Sequence, residues 1–260
     1  MKRNKNDAAD AEAICEAVTR PTMRFVAVKS TAQQSILMVH RTRELLIRQR
    51  TMLVNAIRGH MAEFGVVARV GLSQVQKLLE VIGDGEDQRI PPQARICLKG
   101  LASQLLSLER EINAAERRIH AWHRGSEASK RLETIPGIGP ITATALAASV
   151  SDASIFKSGR GMAAWIGLVP REISSGGKRR LGGISKQGDQ YLRWLLVVGA
   201  TSIVHHAKRR GTTNNPWLAN LIATKPSKVA AVALANKMAR IAWVLLRHGG
   251  TYQPSVSAVI

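Results

Sequence analysis

The sequence predicts a mainly α-helical protein, and three observations support that fold class. Two long stretches in the first half repeat apolar residues at helical spacing, with a short irregular segment between them. The second half is rich in alanine and other small residues, and it closes with a third long stretch of helical pattern. Among these helical stretches lies one segment that is both Gly-rich and basic, which is typical of an exposed loop.

The first predicted elements are a short helix and a long one. Residues 7–19 are predicted to be helical because acids lie near their start, where the helix dipole favours negative charge, and Pro21 ends the helix. Residues 24–30 are predicted to be a short strand or an extended linker. Residues 31–64 are predicted to form one long helix that Gly65 ends.

A second long helix is predicted to pair with the first. Residues 72–82 suggest a short helix and residues 83–92 a loop, after which residues 94–122 are helical. Together these elements predict an antiparallel coiled-coil hairpin over residues 31–130, for which a stalk or dimer interface without chemistry is the simplest role. The second helix carries an apolar seam of strict 4-3-4-3 spacing at Leu101, Leu105, Leu108, Ile112, Ala115, Ile119 and Trp122.

Residues 131–260 are predicted to form a separate helical domain that begins with a helix-hairpin-helix motif. In residues 132–149, a Pro-Gly-Ile-Gly turn precedes a helix of small residues. Gly137 and Gly139 would let the backbone approach a phosphate, and the following helix would present its free N–H groups. Such binding positions DNA without reading its sequence. The alternative is a tight turn that only packs.

The Gly-rich basic loop lies within residues 165–193 and contains three serines. Ser174, Ser175 and Ser185 are candidate nucleophiles, because nearby cations would stabilise an alkoxide and a charged transition state. The alternative is a loop that only grips the DNA backbone. The last predicted helix, residues 228–248, is most simply a core helix. The cations of the loop are Arg171, Lys178, Arg179, Arg180 and Lys186.

The charge distribution points to a polyanionic partner. The 260 residues contain 38 lysines and arginines against 18 acids, which gives a net charge of +20. Residues 131–260 alone hold 17 basic and 4 acidic side chains. A charge of this size favours nucleic acid as the partner, with an anionic membrane surface as the alternative.

Other classes of protein are disfavoured. No continuous apolar run approaches the ~20 residues of a membrane span, so none is predicted. Cys15 and Cys97 lie far apart and lack metal-type spacing, which excludes a disulfide framework and a cysteine zinc site. The charged N-terminus is followed by no hydrophobic signal core, so a cytoplasmic location is predicted.

Several motifs, taken in order, resemble one known family. Their order and spacing over residues 1–255 resemble the DEDD-type insertion-sequence transposases, relatives of the Piv site-specific DNA invertase. The long-helix pair is one of the matching features. The others are Lys5–Ala11, Ile135–Gly139, Gly167–Arg171 with the following Ser174–Gly176, and Lys237–Gly249.

The resemblance implies a metal site in the first 30 residues. They would be the C-terminal remnant of a RuvC-like domain in which four acids, Asp-Glu-Asp-Asp, bind divalent metal, with Mg²⁺ expected. The last two acids fall at Asp7 and Asp10, whose i, i+3 spacing places both carboxylates on one helical face. Taken alone, such a pair commonly caps a helix. The first two acids would lie upstream of Lys5, so the chain is expected to be N-terminally truncated, with an incomplete site.

The resemblance also implies a nucleophile and partners. The serine that attacks DNA would be Ser175, just before Gly176. The expected partners are DNA, a structured guide RNA and further copies of the chain, in a dimer or tetramer.

Three hypotheses follow. The first is a transposase or recombinase that uses Ser175 with metal at Asp7 and Asp10. The second is a catalytically inactive remnant that binds nucleic acid. The third, a pure coiled-coil scaffold, leaves the cationic second half unexplained.

Overall fold

The computed structural model describes residues 6–21, 23, 25, 27–174, 178, 180–211 and 215–253, with the backbone alone at Leu72. Within these residues the chain forms ten α-helices, two short 3-10 helices and one two-stranded sheet. The prediction of a mainly α-helical fold is therefore confirmed.

The first two helices begin and end close to their predicted positions. Helix α1 spans Asp7–Thr19, and the side chain of Asn6 caps it by accepting the Ala8 N–H. Helix α2 spans Thr31–Glu63. It begins with a capping box, in which Ser30 and Gln33 each accept the other's backbone N–H. Between these two helices the described residues contain no strand, so this segment is a connection rather than a strand.

Helices α2 and α4 form an antiparallel hairpin. A 3-10 turn at Leu72–Gln74 leads into α3 (Val75–Gly83), and α4 spans Pro92–Gly125. Ile36, near the start of α2, shares a buried cluster with Ile119, near the end of α4. Ile57, near the end of α2, instead shares a cluster with Leu98, near the start of α4.

The predicted seam lies along the packed face of α4. All of its side chains are buried or half-buried, and Leu105, Ile112 and Ile119 are at most 3% exposed. Arg43 of α2 reaches across to Glu116 of α4, with its Nε 2.9 Å and its Nη2 2.6 Å from Oε1. The hairpin is thus present, while the coiled-coil geometry stays a prediction.

The second half of the chain packs its helices around a core of small residues. Helix α10 contacts α7 and α8 along its length, and its buried face is mostly alanine. Alanine lets helix backbones approach closely, which explains the composition of this half. The helices are α5 (Glu127–Glu133), α6 (Pro140–Ser149), α7 (Gly159–Trp165), α8 (Gln190–Arg210), α9 (Pro216–Thr224) and α10 (Ser227–His248).

Helix α10 also has the length and composition of a membrane span, the one such helix among the described residues. This corrects the expectation that no segment qualifies, which rested on continuous apolar runs rather than on average hydropathy. Leu234, Ala235 and Met238 of this helix are buried in the core with residues of α7 and α8. A core helix of this kind is weak evidence for a membrane.

The Gly-rich basic segment is a short β-hairpin rather than an irregular loop. Strand β1 (Pro170–Glu172) pairs antiparallel with β2 (Leu181–Ile184), with an irregular register between Pro170 and Glu172. Beyond the strands, the Ile173 N–H donates to the carbonyl of Arg180. Gly182 and Gly183 of β2 hide the strand pattern in the sequence, because glycines are usually depleted from strands.

Candidate nucleic-acid interface

The base of the β-hairpin is fixed to the helical core. Gly167 and Gly188 both have positive φ, and a Cβ on either would lie within 2.1 Å of a backbone oxygen. Arg193 donates from Nη1 to the carbonyls of Ile166 and Gln187, at 2.8 and 2.9 Å. From α10, Asn236 donates to the carbonyl of Leu168 at 3.0 Å. The strands therefore project from a rigid base.

The cations predicted for this segment lie on its exposed surface. Arg171, Lys178, Arg180 and Lys186 are all exposed, and Arg179 lies outside the described residues. Exposed guanidinium and ammonium groups on a projecting hairpin suit contact with phosphates.

The three candidate serines occupy different settings. Ser174 donates to Glu172 Oε1 at 3.0 Å and accepts the Arg180 N–H at 3.3 Å. Ser185 is half-buried at the hairpin base, where its N–H donates to the Val169 carbonyl. Ser175 lies outside the described residues. Sequence reasoning missed the contact of Glu172 with Ser174, although their spacing of two is the spacing of neighbours on one side of a strand.

The turn of the predicted helix-hairpin-helix motif is packed against α8. Gly137 has φ +83°, and a Cβ there would lie 2.6 Å from Ile203 Cδ1. A Cβ on Gly199 would lie 2.0 Å from the Gly137 carbonyl oxygen. By contrast, Gly139 caps α6, is exposed and has open space around it. The two glycines thus differ, because Gly137 serves packing and Gly139 alone is free to approach a ligand.

Asp7 and Asp10 lie in the first turn of α1, and both are exposed. Their carboxylate oxygens are donors that Mg²⁺ prefers. Among the described residues, however, no group of three or more acids, histidines or cysteines could hold a metal ion. The two carboxylates therefore do not make up a complete site.

A groove of about 1270 Å³ flanks the hairpin, between β2 and α10. Its floor is largely apolar, and no acidic side chain lines it within the part of the chain described. Lys237 Nζ lies 4.2 Å from the centroid of the Trp217 ring, a cation–π contact that fixes one of its charges. The cations lining the groove are Arg160, Lys228, Lys237 and Arg240.

A buried polar relay joins the helical hairpin of α2 and α4 to the second half of the chain. His40 of α2 is 1% exposed, and its ring nitrogens lie 3.1 Å from the Tyr191 hydroxyl and 3.0 Å from the Thr144 hydroxyl. Thr144 donates its single proton to the carbonyl of Pro140 or Ile141. It therefore accepts from His40 Nε2–H, and Nδ1 accepts the Tyr191 proton.

The relay requires a neutral imidazole. Burial, aided by the charge of Arg43, lowers the pKa of His40 from 6.5 to about 4. Burial likewise raises the pKa of Tyr191, so its hydroxyl keeps the proton that it donates. The two hydrogen bonds of His40 thus hold α2, α6 and α8 together.

The chain belongs to the IS116/IS110/IS902 family of transposases. Residues 129–216 match the family described as "Transposase IS116/IS110/IS902 family", and residues 1–65 match the DEDD transposase family of IS110. These two matches set the class of protein as a transposase, and the names of individual relatives agree with that class.

Three relatives extend the similarity over nearly the whole chain. A "Probable family 20 transposase" of Pseudomonas aeruginosa is 47% identical, over 98% of this chain and 75% of the relative. A Sinorhizobium fredii protein, "Putative transposase y4pF/y4sB", is 48% identical over 97% of this chain and 65% of its own length. The "Transposase for insertion sequence element IS1111A" of Coxiella burnetii is 39% identical over 97% of this chain and 70% of the relative.

Proposed function

We propose that this chain is a DNA transposase or recombinase that binds DNA through its cationic second half and exchanges strands through Ser175. The observation that carries the proposal is the β-hairpin, which is fixed at its base and carries Ser174 among exposed cations beside a groove that no acidic side chain lines within the described residues. Phosphate contacts of this kind position DNA, while the sequence is read elsewhere.

The proposed chemistry is a transesterification at phosphorus. The Ser175 oxygen forms a new P–O bond as one bridging P–O bond of the DNA strand breaks. The serine proton goes to the displaced sugar oxygen, so no oxidant or energy source is needed. Arg171, Lys178 and Arg180, with Arg179 as a further cation, would stabilise the extra negative charge of the transition state.

Ser175 is the preferred nucleophile for two reasons. It occupies the position before Gly176 at which the family's serine is expected. Ser185, by contrast, is half-buried at the hairpin base, while Ser174, whose hydroxyl donates to Glu172, is the alternative that the adduct test separates from Ser175. Asp7 and Asp10 would supply two carboxylate ligands for Mg²⁺, which provides charge stabilisation at phosphate when bound.

We further propose that the chain binds a structured guide RNA and works as a homo-oligomer. The net charge of +20 suits two nucleic acids as well as one. Support for oligomers comes from an apolar stripe at seven-residue spacing on the outside of α2. Its members, Met38, Leu45 and Met52, are 66%, 50% and 70% exposed.

The test is trapping of a covalent protein–DNA adduct on denaturing gels, with element-end DNA and Mg²⁺. The wild-type chain should form an adduct that Ser175→Ala abolishes and that the matched controls Ser174→Ala and Ser185→Ala retain. An adduct that persists in Ser175→Ala would overturn the assignment of the nucleophile.

A second candidate function is nucleic-acid binding without chemistry. The incomplete acidic site among the described residues favours it. It predicts DNA binding that weakens with salt, and no adduct with any divalent metal.

A further inference from the structure

We propose that a cavity between α2 and α8 binds one unpaired nucleotide, with its base stacked on Trp194. This inference rests on the proposed function, since it specifies how part of the bound nucleic acid is held. The cavity measures about 720 Å³ and lies where the helical hairpin meets the second half of the chain. That volume is within the ~300–1,000 Å³ typical of small-ligand sites.

One wall of the cavity is aromatic. Tyr191 and Trp194 stack with ring centroids 6.1 Å apart and an angle of 28° between their planes. Trp194 is nevertheless 48% exposed, so about half of this large aromatic side chain remains open to solvent. Trp165 contributes a further aromatic ring to the lining. Stacked aromatic rings of this kind are platforms for bases, whatever the base.

The lining of the cavity is rich in cations. Lys29, Arg41, Arg43 and Arg48 line it. Arg43 pairs with Glu116, but neither Lys29 nor Arg41 makes an ion pair with any residue that the structure describes. These two cations are therefore available for a phosphate.

The two acids of the lining are already engaged. Asp189 caps α8 by accepting the Leu192 N–H at 2.9 Å, and Glu44 lies 3.7 Å from Arg48. The lining thus carries four cations against two acids, and both acids have a partner within the chain.

The aromatic wall is held in place before any ligand arrives. The Tyr191 hydroxyl is tied to His40, which is tied in turn to Thr144 of α6. This relay fixes the Tyr191 ring, and the Trp194 ring stacks on it. A rigid platform loses little conformational entropy on binding.

The shape and chemistry favour an unpaired nucleotide over a duplex. A base can stack on Trp194 only if it leaves its own stack and enters the cavity, as bases in loops and single strands do. The source of that nucleotide is an RNA loop or a displaced DNA strand, and the chemistry of the site suits both.

The experiment compares full-length variants in binding single strands and duplexes of equal length, each as RNA and as DNA. Trp194→Ala should weaken single-strand binding by about 5- to 150-fold, the range for loss of one base stack. Duplex binding should change less than about twofold. Trp194→Phe should restore most of the single-strand affinity. The matched control is Leu106→Ala, which removes a similarly exposed apolar side chain of α4 outside both this cavity and the groove beside the β-hairpin.

A single strand with abasic sites gives an independent arm. The wild-type chain should bind the abasic strand more weakly than the intact strand, by the same factor that Trp194→Ala loses on the intact strand. The Trp194→Ala variant should bind the abasic and intact strands with equal affinity. If Trp194→Ala loses more affinity for single-stranded RNA than for single-stranded DNA, the nucleotide comes from RNA. If it loses more affinity for single-stranded DNA, the nucleotide comes from a DNA strand.

Two negative results are distinguishable. If the wild-type chain binds duplexes but a folded Trp194→Ala variant binds single strands as tightly as the wild type, the nucleotide site is refuted and the proposed function stands. If the wild-type chain binds no nucleic acid, both are refuted. Circular dichroism of the variant confirms folding, which is expected because the side chain is half-exposed.

Discussion

The buried His40 predicts that the protein loses stability as the pH falls. In the folded chain burial lowers the pKa of this imidazole to about 4, while the unfolded chain takes up a proton near 6.5. The folded-state pKa is depressed for a base, so the unfolded state binds more protons between these values. The contribution of neutral His40 to the free energy of unfolding is therefore complete above about pH 6.5 and is lost progressively below it.

The magnitude follows from the two pKa values. Between pH 7.5 and pH 5, His40 should reduce the free energy of unfolding by about 2 kcal/mol. His40→Phe removes the titrating group and leaves the Tyr191 hydroxyl without its acceptor. The variant should therefore lose about 1–3 kcal/mol at pH 7.5 and show a smaller further loss at pH 5.

Urea denaturation of the wild type and of His40→Phe at both pH values measures these free energies. The matched control is His205→Asn, which alters an exposed histidine of α8 and leaves the relay intact. The control should lose as much stability on acidification as the wild type. If His40→Phe also lost as much as the wild type, the assignment of a neutral buried relay would be refuted.

Three further predictions concern glycines. Gly199→Ala should lower the free energy of unfolding by about 1–3 kcal/mol, because the new Cβ would lie 2.0 Å from the Gly137 oxygen, and a thermal melt would show this. Gly100→Ala, on the exposed face of α4, should instead stabilise by about 0.5–1 kcal/mol, and an unchanged or lower melting temperature would contradict this. Gly139→Ala should leave the chain folded but weaken DNA binding about tenfold in a filter assay, if one charge-assisted hydrogen bond to phosphate is lost. Unchanged affinity would contradict a role of Gly139 in DNA binding and would leave packing as the only role of the Pro-Gly-Ile-Gly turn.

Helices α1 to α4, α6 and α10 were predicted from the sequence because their signals are local, whereas α5, α7, α8 and α9 were not predicted. Pro21 and Gly65 mark the ends of α1 and α2 directly. The seam of α4 showed which face would be buried, although it could not show which residues of α2 would meet it.

Several features that sequence reasoning missed depend on residues far apart in the chain. His40 is 104 positions from Thr144 and 151 from Tyr191, so no local pattern links them. The packing of Gly137 depends on Gly199 of another helix, and a Gly-x-Gly turn is equally compatible with phosphate binding. The assignments of Ser175 and of Asp7 with Asp10 as site residues stay predictions.

The most direct test of the central claim is the salt dependence of DNA binding by the full chain. If the cationic hairpin and groove bind phosphates, a plot of the logarithm of the binding constant against that of salt concentration should be linear and steep. With six or more phosphates contacted, affinity should fall about a thousandfold between ~50 and ~200 mM salt. Neutralising Arg171 or Lys178 should each reduce the slope by about one. Affinity that is unchanged across this range would contradict the account.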